Sequence, residues 1–445
     1  MWLDLAHVCR RWRAVIFASS SRLDLKITVG PKKPGHIETI LRLSSPLPIF
    51  IEYKYLFGDI TGSALWRMRA ALRHRDRVRK IYIDGLGVSG VGFGKFIRAT
   101  NHQFPALESL ILYFPCDHEQ NIPATFLRGP DQSELRLRRL ALLRTSLASV
   151  SGLLLSATAL TDLTLDISAN AAIFDSSQES LLLACLQGMQ CLRSLNLITP
   201  GVLRDSHWRP ASQHSTPKDI VPLLNLSRFH YSGPTIFLNN LMSGLSAPSL
   251  QDARFVVWIR FPLLFLSRVI NDVRGEFRSV RVTFNINLEQ FCLSSWTHLG
   301  EIDRFKPSFR LKVDLFPDSI KSIIITPSTK FAMTEELALY FPSENITKWE
   351  HIFSLREFLR QFRRVRVLRV DPFMREVALY LQQDDGEGIL PVLEEIELSI
   401  SHLTGYSDEE CRAAEELAAF EPFVSARERA GRLVKVYHCE QTPSE

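Results

Sequence analysis

No run of about 20 apolar residues occurs, the length that a membrane-spanning helix needs. The most apolar stretch, Arg254 to Ile270, is broken by Arg260, Pro262 and Arg268, so no membrane association is expected. Cysteine pairs are also lacking. The seven cysteines (Cys9, Cys116, Cys185, Cys191, Cys292, Cys411 and Cys439) are odd in number and scattered, with no C-x-x-C. They read as reduced thiols, which suits the cytoplasm or the nucleus. A secretory start is not expected either, because Asp4 precedes Arg10, Arg11 and Arg13, the reverse of the usual order. The twelve histidines form no H-E-x-x-H and no Cys/His ligand spacing. Neither a G-x-S-x-G elbow nor a phosphate-binding G-x-x-x-x-G-K-[ST] occurs. No metal, no cofactor and no enzymatic activity is therefore expected.

Charge of one sign is scarce overall, at a net +5, but it is unevenly spread. From Met1 to Val150 there are 23 Lys/Arg against 12 Asp/Glu, an excess of +11 that leaves −6 for the remainder. The segment RMRAALRHRDRVRK (Arg67 to Lys80) supplies much of it. It reads as a solvated helix face, with a basic stripe for phosphate backbones or an acidic partner as the alternative. Nucleic acid is not an expected partner. With 46% hydrophobic and 23% charged residues, the chain is not disordered throughout and has the means for a large core.

One pattern fills most of the chain: L-x-x-L-x-L with conservative replacements. It runs Val78-Ile81-Ile83, Leu107-Leu110-Leu112, Leu137-Leu140-Leu142, Leu160-Leu163-Leu165 and Leu192-Leu195-Leu197. It continues Leu226-Phe229-Tyr231, Leu250-Ala253-Phe255, Phe277-Val280-Val282, Ile320-Ile323-Ile325, Val365-Leu368-Val370 and Leu393-Ile396-Leu398. The last two positions of each are two apart, so they share one side of a strand. The first sits on the turn before it. A weaker strand is FRLKVDLF, near Leu311 to Phe316. Start-to-start spacings run from 23 residues (Leu137 to Leu160) to 45 (Ile320 to Val365), room for a helix between strands. Ser176 to Met189, Leu266 to Val273 and His351 to Phe362 have helical spacing.

A short strand cannot bury its apolar side alone, but stacked neighbours can. The expected fold is α/β: a leucine-rich-repeat solenoid, with a curved parallel sheet lined by helices, over 23–404. An exposed polar loop is expected at 204–219. A capping helix, strand and tail are expected at 405–445, opened by Ser407 and Glu410 at capping-box spacing. The alternative is an ordinary doubly wound α/β domain. One motif favours it: G-x-G-x-x-G at Gly85, Gly87 and Gly90, after an expected strand, with Glu108 further on. In an enzyme of that class the glycines would hold a nucleotide pyrophosphate. A strand–loop–helix turn also favours glycine.

The first residues, WLDLAHVCRRWRAVIFASSSRLDLKI, place Trp2, Leu5, Val8, Trp12 and Val15 on one helical face. L-x-x-V-C-R-R-W-R followed by R-L-D-L resembles the final helix of an F-box, here residues 1–22; the L-P-x-E-type helix that opens that motif has no counterpart. SSPLPIFIEY (Ser44 to Tyr53), FPALESLILYF (Phe104 to Phe114) and LLLSATALTDLTLDI (Leu153 to Ile167) extend the likeness. So do ALRHRDRVRKIYI (Ala71 to Ile83) and LLACLQGMQCLRSLNL (Leu182 to Leu197). Together they resemble the F-box/leucine-rich-repeat family of mushroom-forming fungi. That resemblance implies a substrate receptor of a Skp–cullin–F-box ubiquitin ligase. Leu5, Val8, Cys9, Trp12 and Val15 would then meet a Skp-type adaptor, and the repeats would hold an unidentified protein substrate. The alternatives are that these residues pack on the first repeat, or that the repeats bind a partner without the ligase.

The residue between the last two apolar positions of each repeat points away from the core. In order these are Tyr82, Ile111, Ala141, Thr164, Asn196, His230, Arg254, Arg281, Ile324, Arg369 and Glu397. The expected partner-binding face is a ladder of Thr164, Asn196, His230, Arg254, Arg281 and Arg369. His230, Arg254 and Arg281 are expected on consecutive strands, with Arg offering a fork for carboxylate or phosphate.

Overall fold

A strand with apolar residues at every second position needs a neighbour on each edge and a cover on one face. The computed structural model meets both needs with one recurring unit. It describes residues 9–11, 14–15, 24–29, 37–44, 47–54, 62–84, 91–114, 122–123, 126–127, 136–167, 176–199, 220–258, 264–285, 290–298, 307–315, 328–340, 355–370, 375–382, 389–399 and 409–439. The chain divides at Leu226/Ser227 into two units.

The first unit holds β1 (Leu25–Val29), β2 (Ile49–Lys54), β3 (Val78–Asp84), β4 (Ser109–Tyr113), β5 (Arg139–Leu143), β6 (Asp162–Asp166), β7 (Ser194–Ile198) and the short β8 (Val221–Pro222). From β1 to β7 each strand pairs with the next, and every pair is parallel. A parallel pair needs a crossover, and helices supply it at Ile37–Leu43, Gly62–Leu72, Val91–Thr100, Leu147–Ser156 and Ser176–Gln187. Strict chain order lacks the reversal that defines a doubly wound sheet.

The second unit holds β9 (Arg228–Pro234), the short β10 (Leu245–Ser246), β11 (Asp252–Trp258), β12 (Ser279–Asn285), β13 (Gln290–Trp296), β14 (Phe309–Leu315), β15 (Glu336–Tyr340), β16 (Val367–Val370), β17 (Glu395–Ser399) and β18 (Lys435–Cys439). Their order is β9-β11-β14-β13-β12-β15-β16-β17-β18. The expected all-parallel sheet fails here, because β13 runs antiparallel to both β12 and β14. Two strands thus stand between β11 and β12.

The same turn leads into strand after strand. The N–H of the first apolar residue closes a tight turn three residues back: Leu107 to Phe104, Leu160 to Ala157, Leu192 to Met189, Leu226 to Leu223, Leu250 to Ala247 and Leu393 to Leu390. The next two N–H groups then share one carbonyl of the preceding repeat. Arg138 and Arg139 donate to Glu108, Thr161 and Asp162 to Arg138, and Arg193 and Ser194 to Thr161. The second unit repeats this with Gln251 and Asp252 to Ser227, Glu335 and Glu336 to Arg278, Arg366 and Val367 to Glu335, and Glu394 and Glu395 to Arg366.

Inside, the expected leucines are buried: Leu163, Leu165, Leu195 and Leu197 are at most 1% exposed. Leu195→Ala should cost about 3 kcal/mol, from lost burial plus the cavity left behind. Denaturant unfolding measures it, and a variant within 0.5 kcal/mol of wild type would refute the register. Cys185 lies in the same core, and burial pushes its thiol up to about 11.

Other expectations need adjusting. Helices are observed at Ser176–Gln187, Leu264–Asp272 and Leu355–Leu359, close to three of the expected segments. Arg67 to Lys80 is not one helix face: it crosses the end of Gly62–Leu72, a turn and the start of β3. Within it, Arg77 donates to the carbonyls of Leu41, Ser44 and Leu47 at 3.0–3.1 Å. β15 escaped the repeat pattern because its first position is Thr334, a polar residue that is nonetheless buried. Ile320 to Ile325, the loop 204–219 and Ser407 lie outside the described residues. The C-terminal helix spans Glu409–Arg429, Gly431 follows at φ +72°, and β18 pairs with β17.

Candidate recognition surface

Because the pairing in the first unit is in register, the residues between the buried positions form rows. Glu52, Tyr82, Ile111, Ala141, Thr164 and Asn196 are successive partners across β2 to β7. Thr164 and Asn196 thus lie side by side as expected, both half-buried. The row's first rung is charged. Glu52 takes Lys26 at 2.9 Å and Lys54 at 3.5 Å. Burial pushes its carboxyl up, but the two lysines bring it below the ordinary 4.5. A folded-state value below the unfolded one stabilises the fold above the unfolded value, and this fades as pH falls through the folded value. Lys26→Met should therefore lower the melting temperature at pH 7 and do so less at acid pH, below the folded-state value of the carboxyl. An equal effect at both would show that Lys26 acts by packing alone.

Charges also alternate where the strands begin. Arg79 Nε meets Glu108 at 2.8 Å, and Arg139 meets Asp162 at 3.6 Å. This occupies Glu108. It lies one residue before β4, beside Arg79, whereas in the sequence Gly85–Gly90 follows the far end of β3. Glu108 and Asp84, where β3 ends, are about 16 Å apart along the strands. The glycines themselves lie outside the described residues. Among those residues, no group of three or more His, Cys, Asp or Glu could hold a metal ion, and no helix is long and apolar enough to cross a membrane.

In the second unit, His230 stands opposite Arg254 as expected. The next partner of Arg254 is Lys312 on β14, not Arg281. The inserted antiparallel strands carry Arg281 into another row, as partner of Ser294 and Ala338, with its guanidinium 6.0 Å from the Trp296 ring centre. The basic group is therefore His230, Arg254 and Lys312 in one row, with Arg228, Asp252 and Arg310 in the next. Arg228, Arg254 and Arg310 are exposed.

Arg369, expected on the partner-binding face, is ion-paired on both sides. Its Nη2 lies 2.8 Å from Glu336 and its Nε 2.6 Å from Glu397. Ser279 Oγ donates to Glu336 at 2.7 Å, and Tyr437 Oη donates to Glu397 at 2.8 Å and Glu395 at 3.0 Å. One polar chain thus runs across β12, β15, β16, β17 and β18. Burial first, then the two carboxylates, hold the Tyr437 phenol well above its ordinary range. Beside the chain is a cleft of about 310 Å³ lined by five glutamates, Arg366, Arg369 and Val367. Lys312 and these glutamates were missed as site residues. Their signal was present: outward positions of FRLKVDLF for Lys312, and the Glu335-Glu336 and Glu394-Glu395 pairs at one repeat position.

No protein-family model and no curated protein matches the chain. Of the N-terminal positions, Leu5, Val8 and Trp12 lie outside the described residues. Cys9 and Val15 are exposed, Val15 at 52%.

Proposed function

We propose that the chain is a non-catalytic protein-recognition scaffold of the leucine-rich-repeat kind. Its repeats stack as a solenoid, and it presents the outward rows of its strands to a partner. The observation that carries this reading is the turn before the strands, one pattern of hydrogen bonds repeated in both units. Side chains on the apolar side are consumed by the core, so variation is left to the outward positions, which is where a binding scaffold holds its specificity. The F-box likeness extends the reading to the substrate receptor of a Skp–cullin–F-box ligase. Exposure of Cys9 and Val15 favours docking of that segment on an adaptor over packing on the first repeat. The test is a pulldown of the full chain with a purified Skp-type adaptor, comparing wild type with Trp12→Ala. Retention that Trp12→Ala abolishes supports the ligase role. No retention of wild type would leave a scaffold without the ligase.

A further inference from the structure

The outward face of the second unit is divided by charge. On β9, β11 and β14 the two inner rows hold Arg228, Arg254, Arg310 and Lys312 with His230, against Asp252. On β15, β16 and β17 the cleft holds five glutamates against two arginines. Both belong to one hydrogen-bonded series of strands. The basic part spans two strand steps, about 10 Å, which is the reach of three residues of extended chain. From β11 to β16 there are five steps, about 24 Å, or seven such residues.

We infer that β9, β11 and β14 hold a short anionic segment of a partner polypeptide. The partner's residues that continue from it toward β16 are neutral or basic. This rests on the scaffold reading above and names what the scaffold binds. Three or four carboxylates or phosphates would match the guanidinium forks of Arg228, Arg254 and Arg310 and the ammonium of Lys312. Asp252 lies among them and limits the anion to the spaces on either side. The glutamates beyond decide the class of partner. A nucleic-acid backbone is uniformly anionic and would run onto them within about 14 Å, the three strand steps from β14 to β15. A polypeptide can change sign along its length. The charge division therefore also fixes its direction across the strands.

The experiment uses the full chain and fluorescent synthetic peptides. The first has four Glu, six Gly/Ser and three Lys. A second replaces Glu with phosphoserine, a third is Glu throughout, and a fourth is Gly/Ser only. A single-stranded oligonucleotide is the fifth probe. The first or second should bind best, and which of them wins tells carboxylate from phosphate. Affinity should fall with salt, since exposed charges are screened within about 10 Å at 0.1 M. Arg254→Glu/Lys312→Glu should weaken it by about tenfold or more, and Arg254→Gln/Lys312→Gln by less. The all-Glu peptide should bind more weakly than the first, and Glu335→Lys/Glu394→Lys should erase that difference. The inference is overturned if neither anionic peptide exceeds Gly/Ser. It is equally overturned if both Arg254/Lys312 variants, shown folded by circular dichroism, bind as wild type, or if the oligonucleotide binds best. Partner capture lost in Thr164→Arg/Asn196→Arg but kept in Arg254→Glu/Lys312→Glu would sink this inference while leaving the scaffold reading standing.

Discussion

Arg427→Ala should destabilise the second unit by about 4 kcal/mol, because a buried cation with several hydrogen bonds leaves several groups stranded when removed. Arg427 is 1% exposed. It sits on the inner face of the C-terminal helix, in step with Phe420 and Phe423, where an apolar residue would be the simple choice. Its Nη1 donates to the Pro391 carbonyl at 3.0 Å, and its Nη2 to those of Ile389 and Leu390, each at 2.9 Å. Its guanidinium also lies 5.1 Å from the Phe423 ring centre. The segment it holds needs holding. Leu390 has φ +48°, a left-handed conformation that leucine rarely adopts, and its carbonyl closes the turn before β17. Arg427→Met keeps much of the bulk and loses the donors, so it separates packing from hydrogen bonding. If Met restores wild-type denaturant stability, the guanidinium contributes only volume.

Arg427 also shows where sequence reading stops. The helix was legible from Ser407 and Glu410 at capping-box spacing, but nothing in SARERAGR says which arginine turns inward. That depends on carbonyls some 36 residues away along the chain. Arg77 repeats the case, since its targets at Leu41, Ser44 and Leu47 cannot be seen from RDRVRK. The leucine positions were legible because a strand has a strict period of two, and a one-residue slip would expose Leu195 and Leu197 together. The row Tyr82 to Asn196 followed from the same period. The position of Arg281 did not, because a row also needs the order of strands. That order changed where β13 and β14 entered, and strand order is a long-range property with no local signal.

The order of strands also decides which charges are neighbours. With Lys312 beside Arg254 the basic residues are gathered on three adjacent strands. With Arg281 displaced toward Ala338 and Trp296, the cation is withdrawn from that group and set between it and the glutamates. Arg228, Arg254 and Arg310 are exposed, on the side of their strands away from the buried Phe229, Ala253 and Leu311, so exchanging them leaves that core untouched.

Arg369→Ala should behave in the opposite way and cost about 4 kcal/mol of stability. The Glu336 side chain is only 4% exposed and that of Glu397 13%, so the arginine between them neutralises carboxylates that water barely reaches. Losing it removes the full positive charge that stands between Glu336 and Glu397. Arg369→Lys should recover part of the loss, about 1–2 kcal/mol, because one ammonium cannot fork to both acids with the same geometry. The decisive variant is Arg369→Leu/Glu336→Leu. Removing both charges of a buried pair is far less costly than removing one, so the double variant should be more stable than Arg369→Ala by about 2 kcal/mol. Chemical denaturation of the three variants reads all of this directly. If Arg369→Ala unfolds as wild type does and the anionic peptides bind it less well, then Arg369 faces the partner, and the chain from Ser279 to Tyr437 belongs to the binding surface after all.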